Sequence, residues 1–194
     1  MPPGERRAAK FRRVLELRQP DLTVVLENIH DPHNVSAVLR SCDAVGVLRI
    51  ELLYTKERFP RIGRKSSSSA NKWLDRRSHR SVDACYATLR QEGFRIFATH
   101  LAGDSASLYD LDLTGPVALV LGNEHRGVSD RAAELADVRF HIPMMGMIQS
   151  LNVSVAAAVA LYETLRQRRA AGRYDRTSLT PDRLEELFND WCRR

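Results

Sequence analysis

Between residues 22 and 171, short apolar runs alternate with amphipathic stretches, and this alternation leaves the chain few folds. Leu22–Glu27, Val47–Leu53, Phe94–Thr99, Val117–Leu121 and Val138–Ile142 read as strands, being brief and rich in Val, Leu, Ile and Phe. Between and after them, His33–Val45, Val82–Gln91, Ser129–Ala136 and Asn152–Ala171 read as helices. Gly46, Gly93 and Gly172 stand as stops after three of these. Strand–helix alternation implies an α/β domain with a mainly parallel sheet and helices on both faces. Glu5 to Arg18 reads as a basic amphipathic helix with Phe11, Val14, Leu15 and Leu17 on its apolar side, stopped by Pro20 and Asp21. Thr180, Pro181 and Asp182 start a last helix that runs to Trp191, with Pro181 in its first turn. The expected organisation is a basic helical extension over 1–19, one domain over 20–172 and a helical extension over 173–194. No internal repeat is found.

The chain has 194 residues, enough to bury a core without disulfide staples. With 43% hydrophobic and 28% charged residues, bulk disorder and a membrane bundle are not expected. No apolar run approaches the roughly 18–20 residues needed to span a bilayer. Met1 to Arg18 has no apolar signal core. Cys42, Cys85 and Cys192 are far apart and form no CxxC, so they read as reduced thiols in a cytoplasmic protein.

The net charge of +6 is unevenly spread. Residues 49–80 carry +7, residues 1–19 carry +4 and residues 163–194 carry +2, while 20–48 and 81–162 are acidic at −3 and −4. Arginine outnumbers lysine 26 to 4, and its planar fork suits phosphate. The pattern fits a polyanion partner. A solvated basic surface, with arginine favoured by genome composition, would look the same.

The usual nucleotide signatures are missing. There is no GxGxxG after the first strand, no GxxxxGK[ST], no HExxH and no GxSxG. His30 and His33 flank a proline turn and make a poor metal pair, so no metal is expected.

Three polar clusters at strand ends remain. The first runs from Asn28 to Arg40. Asn34 can cap the helix that begins there. Arg40, the only basic residue between 20 and 48, needs a partner, which is either Asp43 or Glu27 within the fold or a ligand. The second, Leu121 to Ser129, takes an apolar strand straight into Gly122, Asn123 and Glu124. Gly122 would let a ligand approach the backbone closely, and Glu124 sits where open α/β sheets build their sites. Read blandly, this is a polar turn with Ser129 capping the next helix. The third, Ile142 to Ala158, is an apolar loop with Met144, Met145 and Met147 as a soft wall. Ser150 and Asn152 sit where a small-residue helix begins, which a buried helix with a capped start would also explain.

The NVSAVLRSCDAVGV, LVLGNEHRGVS and IPMMGMIQSLNVSVAAAVALYE segments resemble, in order and spacing, the three motifs of the SPOUT RNA methyltransferases. The likeness continues through NKWL at 71–74, FRIFAT and QRRAAGRYDR at 167–176. The chain is most similar to the bacterial subgroup that methylates the D-loop guanosine at position 18 of tRNA. The resemblance implies a deep trefoil knot near the C-terminus, a threading that general rules of chain connection make very improbable. It implies S-adenosylmethionine held largely by backbone groups, with Thr99, Gly122, Ile142 and Leu151 at the cofactor and Met144 and Met147 as walls.

The implied reaction is methyl transfer to a ribose 2′-hydroxyl. Arg40 matches the arginine proposed as general base in the family. Arginine normally stays protonated, so orienting the hydroxyl and stabilising developing alkoxide is the alternative role. Asn34 and Glu124 match residues that organise the site, and Ser150 and Asn152 those at the cofactor–ribose junction. The resemblance implies a homodimer packed partly through the knot, with the active site bordering the partner chain. RNA contacts are expected from Arg6, Arg7, Arg12, Arg13, Arg18, His33, Arg166, Arg168, Arg173 and Arg176. Ser66–Ser69 replaces much of a Gly-containing loop found in relatives. Alternatives are the same chemistry on rRNA or another tRNA position, or a non-catalytic RNA-binding protein on this fold.

Overall fold

The computed structural model describes residues 3–60, 70–101 and 103–194. The Ser66–Ser69 stretch lies outside them. The chain forms α1 (Pro3–Glu16), β1 (Gln19–Glu27), α2 (Pro32–Ala44), β2 (Val47–Leu53), β3 (Asp75–His79), α3 (Val82–Gln91), β4 (Arg95–Thr99), β5 (Ala106–Ser107), β6 (Val117–Leu121), α4 (Asp130–Leu135), β7 (Val138–His141), α5 (Val153–Ala170) and α6 (Pro181–Arg193). The seven strands form one sheet in the order β3-β2-β1-β6-β4-β7-β5, with every neighbouring pair parallel.

Period-two alternation explains why the central strands read as continuous apolar runs. In β1, Val24 and Leu26 face one layer and Val25 the other; in β6, Leu119 and Leu121 oppose Ala118 and Val120. One core joins these strands to Val35, Val38, Leu39 and Cys42 of α2 and to Ala157, Ala160 and Leu161 of α5. The opposite core joins them to Val82, Cys85, Tyr86 and Leu89 of α3 and to Ala132 and Ala133 of α4. Each fully buried Val or Leu contributes about 1.5–3 kcal/mol. Burial pushes the Cys85 thiol up to about 12, so this cysteine is an inert core residue.

The terminal helices share a third cluster. Phe11 and Leu15 of α1 meet Leu187 and Trp191 of α6, with Leu48 and Leu179 also buried and Trp73 packed against the group. The Phe11–Trp73 and Trp73–Trp191 ring centroids are 5.2 and 4.9 Å apart.

Several sequence expectations need correction. Asn34 does not cap α2: Asp31 does, accepting from the His33 N–H, with Pro32 in the first turn. Strand β3, DRRSH, lacks the apolar alternation that marks a strand, because it is an exposed, charged edge. Two expected RNA contacts, Arg18 and Arg168, are wholly buried. Arg18 donates to Asp43 Oδ1 at 2.5 Å and the Val47 carbonyl at 2.7 Å. Arg168 donates to Asp21 Oδ1 at 2.7 Å, Gln19 Oε1 at 3.1 Å and the Leu113 carbonyl at 3.2 Å. Buried guanidiniums must be paired in this way, and neither has a free face for phosphate. Arg173 likewise pairs with Asp21. Arg6, Arg7, Arg13, His33, Arg166 and Arg176 are exposed. Arg12 is half-buried, pairing with Glu185 and lying over the Phe188 ring.

Candidate active site

Neighbouring strands β1 and β6 mark the point where the chain order reverses across the sheet, and ligands bind beyond the carboxyl ends of strands at such a point. There the turn 28–31 after β1, the loop 123–127 after β6 and the start of α5 converge. Glu124 is the centre. Its carboxylate accepts from the His30 and Asp31 N–H groups, each at 3.0 Å, and from Asn34 Nδ2 at 3.0 Å. Asn34 Oδ1 in turn accepts from Asn152 Nδ2 at 3.1 Å, and Asn152 Oδ1 caps α5 by accepting from the Ser154 N–H at 2.8 Å. One hydrogen-bonded line thus ties β6, α2 and α5 together. Burial pushes the Glu124 carboxyl up, but the donors from Asn34, His30 and Asp31 outweigh it and hold the group below its ordinary 4.5.

A cavity of about 710 Å³ opens beside this line. Thr99 from β4, Leu121 from β6 and Gly122 just after it, Ile142 and Met144 after β7, and Ser150, Leu151 and Asn152 before α5 all line it, as does Glu124. The backbone groups of 143–151 make no hydrogen bond among the described residues. They are therefore free to satisfy a ligand. His100 also lines the cavity, and its Nδ1 is buried without a partner among the described residues. Apolar walls, free backbone donors and acceptors and one orphaned imidazole nitrogen suit a bent, mixed-polarity small molecule such as S-adenosylmethionine. His100 and Gln149, which also lines the cavity, were not singled out from sequence; the one available signal was that His100 directly follows a strand's carboxyl end.

Of the residues expected to wall the cavity, one does not. Met147 lies outside the cavity and is 98% exposed. Gly122 lines the cavity and also meets a packing need: a Cβ there would stand 2.0 Å from the Gly127 carbonyl carbon and the Val128 nitrogen, so its own loop crowds it. Arg40 is exposed on α2, does not line the cavity, and makes no ion pair or hydrogen bond among the described residues. The internal partners allowed by sequence are taken elsewhere: Asp43 pairs with Arg18, and Glu27 accepts from the Ser129 N–H at 2.9 Å. Ser129 caps α4, as its sequence position suggests. Among the described residues no group of His, Cys, Asp and Glu could hold a metal ion, and no helix is long and apolar enough to cross a membrane.

Comparison with known proteins places this geometry. Residues 21–162 match the SpoU rRNA Methylase family. A tRNA (guanosine(18)-2′-O)-methyltransferase of Thermus thermophilus is 46% identical over 190 residues, covering 98% of this chain and 97% of that protein. The crystal structure of an A. aeolicus TrmH/SpoU tRNA modifying enzyme superposes with a TM-score of 0.92 at 38% identity, covering 98% of this chain and 96% of that one. The SpoU methyltransferase AviRb from Streptomyces viridochromogenes, solved in complex with the cofactor AdoMet, superposes at 0.68 with 27% identity over 80% of this chain and 62% of that one. The motifs and the all-parallel sheet therefore have one explanation: the chain belongs to the SpoU methylase family.

Proposed function

We propose that this protein transfers the methyl group of S-adenosylmethionine to the ribose 2′-hydroxyl of the guanosine at position 18 in the D-loop of tRNA. The observation that carries the reading is the Glu124–Asn34–Asn152 line beside a cavity walled by free backbone groups. Its near-full-length likeness to an enzyme of that activity supports the substrate. The cofactor, when bound, supplies a methyl group on a positively charged sulfur. Leu121, Ile142, Met144 and Leu151 exclude water, while 143–151 offers backbone hydrogen bonds.

The 2′-hydroxyl is a poor nucleophile at neutral pH, so the protein must favour negative charge on that oxygen. Arg40 presents a guanidinium with no internal partner. Arginine is not deprotonated in proteins, so Arg40 donates to the developing alkoxide and the proton passes to solvent. Asn34 and Glu124 fix the start of α2, the helix that carries Arg40. Asn34→Ala removes a donor to a charged carboxylate together with the acceptor for Asn152. Such a bond is worth about 1.5–3 kcal/mol, so kcat falls about 10–100-fold in a single-turnover assay.

A carboxyl held below its ordinary value stabilises the fold above that value, and the contribution is lost as pH falls through the folded one. The wild type therefore loses thermal stability below about pH 4.5 more steeply than Glu124→Gln. Melting curves between pH 3 and 7 read this difference directly.

Met145, Met147 and Ile148 are 95%, 98% and 66% exposed, and Val155 and Tyr162 of α5 are exposed apolar side chains as well. These side chains support a homodimer through the 143–151 segment and α5, next to the cavity, where the family's knot is expected. Sedimentation should give twice the 22.0 kDa chain mass. Arg6, Arg7, Arg13, Arg166, Arg176 and His33 remain the candidate tRNA contacts, and the cytoplasm, where tRNA is processed, is the proposed compartment. Calorimetry with S-adenosylmethionine tests the enzyme reading against a bare RNA-binding module. Binding supports the enzyme, and no measurable heat contradicts it.

A further inference from the structure

Asn28 is the only non-glycine residue with a positive φ among the described residues, at 51°, and it stands where β1 turns toward the site. Non-glycine residues take that conformation at a cost, and they keep it only where the surroundings demand it. The demand here is visible. Asn28 Oδ1 accepts from three consecutive N–H groups, Thr55 at 3.0 Å, Lys56 at 3.1 Å and Glu57 at 3.3 Å. Its Nδ2 donates to Thr55 Oγ1 at 3.1 Å. Its carbonyl accepts from Asn123 Nδ2 at 2.7 Å, one residue before Glu124. One side chain thus clamps the segment that follows β2 onto the turn and loop that hold the Glu124 carboxylate.

The clamped segment reads Thr55-Lys56-Glu57-Arg58-Phe59-Pro60. Phe59 packs edge-on against Tyr54 at 5.3 Å, and the Tyr54 hydroxyl donates to the Ile29 carbonyl at 3.0 Å. The segment is therefore pinned from two sides. Glu57, its one acidic residue, pairs with Arg126 of the site loop. Lys56 and Arg58 point to solvent with no ion pair among the described residues. A loop whose one acid is neutralised by Arg126, and which leaves two cations unpaired beside an active site, suits a phosphate backbone.

We propose that Lys56 and Arg58 contact the phosphate backbone of the RNA substrate, and that Asn28 is the positioning residue that aims them. The proposal rests on the tRNA reading above. Wild-type methyl transfer to a tRNA transcript, measured in the same assay, tests that reading separately.

Steady-state kinetics on the full chain test the proposal. The double variant Lys56→Ala/Arg58→Ala raises KM for tRNA about tenfold with kcat within about threefold, the pattern of lost uniform binding. The dependence of log KM on log salt becomes shallower by about 1–2. Asn28→Gly accepts the positive φ but loses the Oδ1 acceptor, and shows the same rise in KM with unchanged affinity for S-adenosylmethionine. Asn28→Asp keeps the acceptor and restores KM. Adding Asn28→Gly to the double variant raises KM no further, because the clamp then has no cations to aim. An unchanged KM and salt slope in the double variant overturn the proposal, and that variant leaves Asn28 and its turn intact. Loss of cofactor affinity in Asn28→Gly, or an additive triple variant, overturns the positioning role.

Discussion

Arg40→Ala is expected to lower kcat about 100–1,000-fold, the usual cost of removing one donor from a developing oxyanion. Two other quantities should stay still. Arg40 is exposed and makes no hydrogen bond or ion pair among the described residues, so its loss removes no internal contact. Surface changes of this kind stay within about 0.5 kcal/mol in stability. It does not line the cavity, so affinity for S-adenosylmethionine should hold within about twofold. Arg40→Lys tests the donor role. A lysine keeps the charge but not the planar fork, so an alkoxide donor is partly rescued. A full loss in Arg40→Lys would contradict the donor role. Single-turnover rates, cofactor titration and thermal melts on both variants provide the three readouts.

Gly122→Ala should instead damage fold and function together. The added Cβ would lie 2.0 Å from the Gly127 carbonyl carbon and 2.2 Å from its oxygen, both of them backbone. That backbone cannot swing aside. The Asn123 N–H donates to the Gly127 carbonyl at 2.9 Å and the Gly127 N–H returns to Asn123 at 2.8 Å, closing the loop that carries Glu124. Opening it breaks the bonds from Glu124 to the 30–34 segment. A loss of about 3 kcal/mol or more in urea unfolding is expected, the upper end for overpacking, with methyl transfer abolished. Gly127→Ala is the control. Its φ is 67° but nothing lies within 4 Å of a Cβ there, so only the backbone penalty of about 1–2 kcal/mol applies.

The fold was legible where the hydrophobic pattern follows burial, as short apolar-rich runs in buried strands or as one apolar face of a helix. Val47–Leu53, Val82–Gln91 and Val117–Leu121 were bounded correctly to the residue. Strand β3 was not, because its pairing with β2 is a backbone matter and its side chains are Arg, Ser and His at an exposed edge. Charge was misread for a related reason. Arg18 and Arg168 look like any other arginine of the basic termini. Only tertiary structure brings Asp43 to one and Asp21 and Gln19 to the other. The motif residues of the site were found by resemblance, and the structure joins Asn34, Glu124 and Asn152 into one line. Asn28 carries its meaning in a backbone angle and three N–H groups more than twenty-five residues away, which no local pattern announces.

The most direct test of the central claim is to incubate the protein with labelled S-adenosylmethionine and an unmodified tRNA transcript, then locate the methyl group by nuclease digestion and mass spectrometry. Methyl on the 2′-oxygen of the position-18 guanosine is the expected result. Transfer to rRNA but not tRNA, or no transfer to either, would contradict it.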